Sequence, residues 1–157
     1  MAQIRLTLEE DIKLHGTQFG STRSLLVSGI NDVYKRVINC PANSETTVAQ
    51  FHSSVADALP SLIDVNEAKY IRLTNLSTAT SITLSLQIDV GEDDTSADES
   101  ASILIEPQRS FIMGKPEDSV GVSDTNANLV TDLVDLESLV VFTGASAVKV
   151  EILVASA

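Results

Sequence analysis

Between Tyr70 and Val90 the chain reads YIRLTNLSTATSITLSLQIDV, and its apolar residues fall at every second position. Ile71 and Leu73 alternate with Arg72 and Thr74. After the turn cluster Asn75-Leu76-Ser77-Thr78, the residues Ile82, Leu84, Leu86, Ile88 and Val90 alternate with Thr83, Ser85, Gln87 and Asp89. Strict period two is the signature of a strand with one buried face, so this stretch predicts a β-hairpin. The same rule predicts a closing strand, where Val148, Val150, Ile152 and Val154 alternate with Lys149, Glu151 and Leu153 after the tight turn Gly144-Ala145-Ser146. That strand forms a second hairpin with the apolar run Leu139 to Phe142.

The rest of the chain continues in short strands. Ile4, Leu6 and Leu8 alternate with Gln3, Arg5 and Thr7, a first strand or an arm that adds to a neighbouring sheet. Residues 12–24, with Gly16, Gly20, Thr17, Ser21 and Thr22, read as a long loop that is mobile or partner-facing, because loops of that length are uncommon inside a compact domain. Leu25–Ser28 and Val33–Asn39 flank the turn Gly29-Ile30-Asn31-Asp32 and read as another hairpin. Thr46–His52, Ser102–Glu106 and Phe111–Met113 are further strands, and Val120–Val122 is a brief edge strand. Val55–Leu62 is a helical turn or a loop, since Pro60 would break a longer helix. Asn128–Leu136 reads as a short helix or an irregular crossover. Many short strands separated by Gly, Pro, Asn and Ser predict an all-β chain, an antiparallel β-sandwich or jelly roll with at most one short helix. The expected division is an arm and loop over 1–24 and one sandwich domain over 25–157.

Composition narrows the function. Ten Lys and Arg against 22 Asp and Glu give a net charge of -12. A nucleic-acid binder needs a basic footprint, so nucleic acid is not an expected partner, and neither is an anionic membrane. No apolar run reaches transmembrane length, and MAQIRLTLEE has no apolar signal region. Synthesis in the cytoplasm follows as the expectation. The chain has one cysteine, so no intrachain disulfide can form, and Cys40 reads as a small buried hydrophobe. Trp is absent and aromatics make up 4%, which leaves little for stacking sugars or bases.

Gly-x-Ser-x-Gly, GxxxxGK[ST] and GxGxxG are all missing. His15 in a glycine-containing loop and His52 at a strand end have no nucleophile placed beside them in sequence. One Cys and two separated His cannot make a zinc site. Asp124-Thr125-Asn126-Ala127-Asn128 begins like a calcium loop, but Leu129 stands where such a loop needs glycine, and an Asp/Asn turn explains the residues better. The carboxylates Glu92, Asp93, Asp94, Asp98 and Glu99 read as a solvated charge run. Asn75-Leu76-Ser77 is a formal glycosylation sequon and reads as a turn. No cofactor, metal or catalytic residue is expected.

The succession YIRLTNLSTATSITLSLQI, SILIEPQRSFIMG and SLVVFTGASAVKVEILVA, over Lys69–Ala157, resembles the small β-sandwich virion proteins of tailed bacteriophages, above all head decoration (auxiliary capsid) proteins. The resemblance implies a non-enzymatic protein of the virion. It would bind the outer surface of an icosahedral shell as a homotrimer and reinforce contacts between capsomers. The implied partner is the major capsid protein or another virion protein. Tail, neck or fibre-base components share the style, and a carbohydrate- or receptor-binding jelly roll is the competing class. The expected partner surface lies in the arm and loop, at Ile4, Arg5, Leu6, His15, Gln18, Phe19 and Arg23.

Overall fold

The computed structural model describes residues 2–53, 62–88, 99–123 and 129–157. Its strands are β1 (Ala2–Glu9), β2 (Lys13–Leu14), β3 (Thr17–Gln18), β4 (Thr22–Ile30), β5 (Asp32–Cys40), β6 (Glu45–His52), β7 (Ile63–Asp64), β8 (Ala68–Asn75), β9 (Ile82–Ile88), β10 (Glu99–Ile105), β11 (Ser110–Met113), β12 (Leu136–Phe142) and β13 (Val148–Ser156). No helix occurs among the described residues, as the all-β reading expects.

Two antiparallel sheets carry the body, in the orders β11-β8-β13-β5 and β10-β9-β12-β6, with the short β7 added parallel to β6. Leaving out β7, eight strands run from β5 to β13, and their pairing is nested. The first pairs with the last (β5–β13), the second with the seventh (β6–β12), the third with the sixth (β8–β11) and the fourth with the fifth (β9–β10). Nested pairing of eight strands across two sheets is the winding of a jelly roll. The β-sandwich is therefore of the jelly-roll type.

This winding corrects three expected hairpins. β8 and β9 lie in opposite sheets, so the connection between them, residues 76–81, is an arch from sheet to sheet and not a hairpin turn. β12 and β13 are likewise split between the sheets. β4 pairs with β1 and β5 with β13, so the turn at Gly29–Asp32 joins two separate pairings. The strands themselves lie where alternation puts them. Ile82, Leu84, Leu86 and Ile88 are buried, as are Val148, Val150, Ile152 and Val154. All of these but Ile88 belong, with Phe51, Ile71, Leu73, Leu136, Leu139 and Val141, to one core built mainly from Val, Ile and Leu. The residues of 129–135 form an irregular crossover, fastened where Val134 pairs with Val120 in an isolated bridge. Most of Val55–Leu62, residues 91–98 of the acidic run and the candidate calcium loop 124–128 fall outside the described residues.

The arch after β8 is held by one buried side chain. Asn75 is fully buried, and its Nδ2 donates to the carbonyls of Thr80 (2.9 Å), Ile105 (3.2 Å) and Glu106 (3.2 Å). Its Oδ1 accepts from the Ser77 amide at 2.9 Å, and Ser77 Oγ in turn accepts from the amide of Thr80 at 2.9 Å. The turn reading of Asn75-Leu76-Ser77 is thus correct, and the amide of the formal sequon is enclosed.

Two titratable groups are buried without full compensation. Cys40 is a free, completely buried thiol, and burial pushes its pKa up, partly offset by a hydrogen bond with Thr46. Burial likewise raises Tyr70, against a smaller opposing effect of Arg72. Both hold their protons more tightly when folded than when unfolded. Their contribution is intact below the unfolded groups' ordinary values, about 8.5 and 10, and is lost as pH rises through and beyond them. We expect a melting temperature that is level near neutrality and falls in that alkaline range. In Cys40→Ala the fall should begin later, near the tyrosine's range. An equally early fall in that variant would remove the thiol from the account.

Candidate interaction surface

β1 and β4 form a two-stranded sheet of their own. Their register pairs Gln3 with Ser28, Ile4 with Val27, Leu6 with Leu25, Leu8 with Arg23 and Glu9 with Thr22. The same register continues through β2 and β3, where Lys13 faces Gln18 and Leu14 faces Thr17. Between these ladders, Glu10 donates its amide to the Ser21 carbonyl and Phe19 donates to that of Ile12, both at 2.8 Å. Residues 2–30 are therefore one long hairpin ribbon. The expected loop over 12–24 is its tip and returning strand, and β4 runs across the expected boundary at 24/25.

Two local features build the ribbon. His15 and Gly16 both take positive φ, 51° and 83°. That is the two-residue turn whose twist matches the flanking strands; histidine tolerates the left-handed region and glycine is at home there. At Gly20 the strands approach so closely that an added Cβ would lie 2.1 Å from the Glu10 carbonyl oxygen.

Directly opposed residues share a face. One face of the ribbon accordingly collects Ile4, Leu6, Leu8, Ile12 and Leu14 from the rising chain and Phe19, Leu25 and Val27 from the returning chain. The other carries Gln3, Arg5, Thr7, Glu9, Lys13, Gln18, Thr22, Ser24 and Ser28, with Leu26 its large apolar exception. On the apolar face, the base is covered. Ile4, Leu6 and Val27 pack on Ile30, Tyr70, Leu153 and Ala155 against the outside of the β11-β8-β13-β5 sheet. Half-burying three aliphatic side chains contributes about 3 kcal/mol, enough to seat the base. The distal half has no such cover: Leu8 is 60% exposed, Leu25 59%, Ile12 54%, Leu14 55% and Phe19 61%.

The expected partner residues are all on this ribbon but do not form one surface. Ile4 and Leu6 belong to the seated base, Phe19 and Arg23 to the exposed apolar half, Arg5 and Gln18 to the polar face, and His15 to the turn. Gln18 Nε2 donates to Asp11 Oδ1 at 2.6 Å, which stiffens the tip. The exposed apolar half also holds Leu8, Ile12, Leu14 and Leu25, which lie outside the expected set. The signal that finds them is the constant register about the His15-Gly16 turn.

Charge separates the ribbon from the body. Arg5, Lys13 and Arg23 balance Glu9, Glu10 and Asp11, so residues 1–30 are neutral and the whole net charge of -12 lies in the rest. The outside of the second sheet is a further uncharged stretch: Thr83, Ser85, Gln87, Ser102, Val140 and Phe142 line a shallow groove with Glu45 at its margin.

No protein-family profile and no curated protein matches the chain. A solved structure of Bacillus endospore appendages, described as a novel family of disulfide-linked pili, aligns over 80% of this chain and 87% of that chain, with 9% identity and a TM-score of 0.37. Likeness at that level carries no argument about this protein.

A cleft of about 270 Å³ lies at the end of β6, lined by Phe51, His52, Asn66, Glu117, Asp118 and Asp135 among others. Its polar groups hold loops. Asp135 Oδ1 accepts the Asp118 amide at 2.8 Å, Glu117 pairs with Lys115 at 2.6 Å, and Asn66 Nδ2 donates to the Ser53 carbonyl at 3.0 Å. Among the described residues no group of three or more His, Cys, Asp and Glu is placed to hold a metal ion, and no helix is long and apolar enough to cross a membrane.

Proposed function

We propose that the protein is a non-enzymatic structural subunit of a larger protein assembly, joined to it through the ribbon. The observation that carries this reading is the ribbon's apolar face, seated on the body at its base and uncovered from Leu8 to Phe19 and Leu25. An isolated two-stranded ribbon is marginal in water, and one that presents five large apolar side chains is an element awaiting a partner. A jelly roll with nested pairing supplies the rigid platform, and such a role asks for no chemistry.

The pattern of Lys69–Ala157 supports a more specific reading, a head decoration protein of a tailed phage. In it, three copies sit together on the outer shell, bind the major capsid protein and reinforce capsomer contacts. Many weak contacts per copy then multiply through avidity. The test is co-sedimentation of the full chain with empty expanded shells and with precursor shells of the parent virus. Saturable binding to the expanded shells is expected. In the double variant Leu14→Ser with Phe19→Ser, binding should drop roughly tenfold or more with the body's melting unchanged. A chain that stays in the supernatant with both shells would refute the decoration reading.

A further inference from the structure

Taking the ribbon as an assembly element, we infer that its exposed apolar half is covered by the same face of the ribbon of another copy of this chain, with Glu10 of each copy meeting Arg23 of its neighbour.

Three observations point to a second copy as the occupant. The first is self-complementarity. Where identical copies meet by the same face, that one face must offer both members of each contact. Along this face the charged positions are Glu10 and Arg23, one acid and one base in adjacent cross-strand rows (Glu10 opposite Ser21, Arg23 opposite Leu8). Facing the ribbons brings like apolar rows together and unlike charges opposite each other. Among the described residues Arg23 makes no ion pair, and the Glu10 carboxylate accepts only the Ser21 hydroxyl, at 3.0 Å.

The second is net charge. Copies of a strongly acidic body repel one another, and the ribbon is the segment in which the charges cancel. It projects the apolar surface on a neutral stalk, so copies can meet there while their bodies stay apart. The third is continuity. The covered base and the bare distal half are one uninterrupted face in one register, so the same packing that seats Ile4, Leu6 and Val27 can be continued by a neighbour's Leu8, Ile12 and Phe19.

The test measures the mass of the full chain by size-exclusion chromatography with light scattering. Wild type, Glu10→Arg, Arg23→Glu, the double variant and an equimolar mixture of the two single variants are compared. All of these positions are exposed, and circular dichroism melting checks that each body folds. Wild type should be a multimer. Each single variant sets like charges against each other and should associate roughly tenfold or more weakly. The double variant should recover, because every reversed charge again meets its opposite; the mixture should recover in full where copies meet in pairs and in part in a ring of three, which must set two copies of one variant side by side. Failure of both to recover would overturn the Glu10–Arg23 arrangement. A wild-type monomer would overturn self-association itself; if that monomer still binds shells, the structural-subunit reading stands without it. A multimer that ignores shells leaves the ribbon pairing in place and removes the virion reading.

Discussion

Replacing Asn75 by leucine should destabilise the protein by about 3–5 kcal/mol, a large part of a domain's usual margin. Leucine keeps the branching at Cγ but is bulkier, so lost hydrogen bonding comes first and some overpacking adds to it. Asn75 Nδ2 serves three carbonyls from two parts of the chain: Thr80 at the entry to β9, and the neighbours Ile105 and Glu106 where β10 ends and the turn to β11 begins. The Asn75 backbone amide also donates to the Arg109 carbonyl at 3.0 Å. One residue thus ties together two arches that carry the chain from sheet to sheet. Leucine leaves the carbonyls enclosed without a donor, at about 1–3 kcal/mol each for those that water cannot reach. Urea denaturation should show a lowered midpoint with the slope retained. Asn75→Asp separates shape from bonding: it keeps the acceptor for Ser77 but sets a carboxylate against carbonyl oxygens, so it should be at least as damaging as leucine. If either variant unfolds within about 1 kcal/mol of wild type, Asn75 is not the tie described.

That residue also shows what the sequence leaves open. Period-two alternation locates β8, β9, β12 and β13 because each has one face in the core, and that holds whichever sheet a strand joins. Alternation is blind to pairing. A six-residue connection such as 76–81 suits a hairpin in one sheet or an arch between two, and the choice rests on contacts with Ile105 and Glu106, about thirty positions away. Hence the fold class could be read while the nested winding could not. The ribbon failed differently. Ile4, Leu6 and Leu8 announce a strand, but Gly16 and Gly20 look like loop breakers. Gly16 in fact completes a tight turn with His15, and Gly20 lets two strands touch. Once Leu14 and Thr17 are set opposite each other, every apolar residue of the face follows by counting back along the register.

Gly20→Val should abolish association through the ribbon while leaving the body's unfolding transition in place. The added Cβ would lie 2.1 Å from the carbonyl oxygen of Glu10, a backbone atom that can yield only if the strands part. Parting them breaks the bond from the Glu10 amide to the Ser21 carbonyl, which links the two laddered ends of the ribbon. The ribbon cannot absorb this. Two strands without a third are marginal, and among the described residues neither core cluster includes any of residues 9–22. The body is insulated, because among the described residues the ribbon meets it at the base, through Ile4, Leu6, Val27 and Ile30 and the bond from Lys69 Nζ to the Gly29 carbonyl. Hydrogen exchange separates the two parts. Amides of Glu10 and Phe19 should lose their protection by about tenfold or more, whereas those of β8, β9 and β13 should exchange as in wild type. Light scattering on the same sample should show monomer. If instead Gly20→Val keeps its multimer while the amides of Glu10 and Phe19 exchange freely, the copies are joined elsewhere. The uncharged outer face of β9, β10 and β12 would then be the next surface to probe.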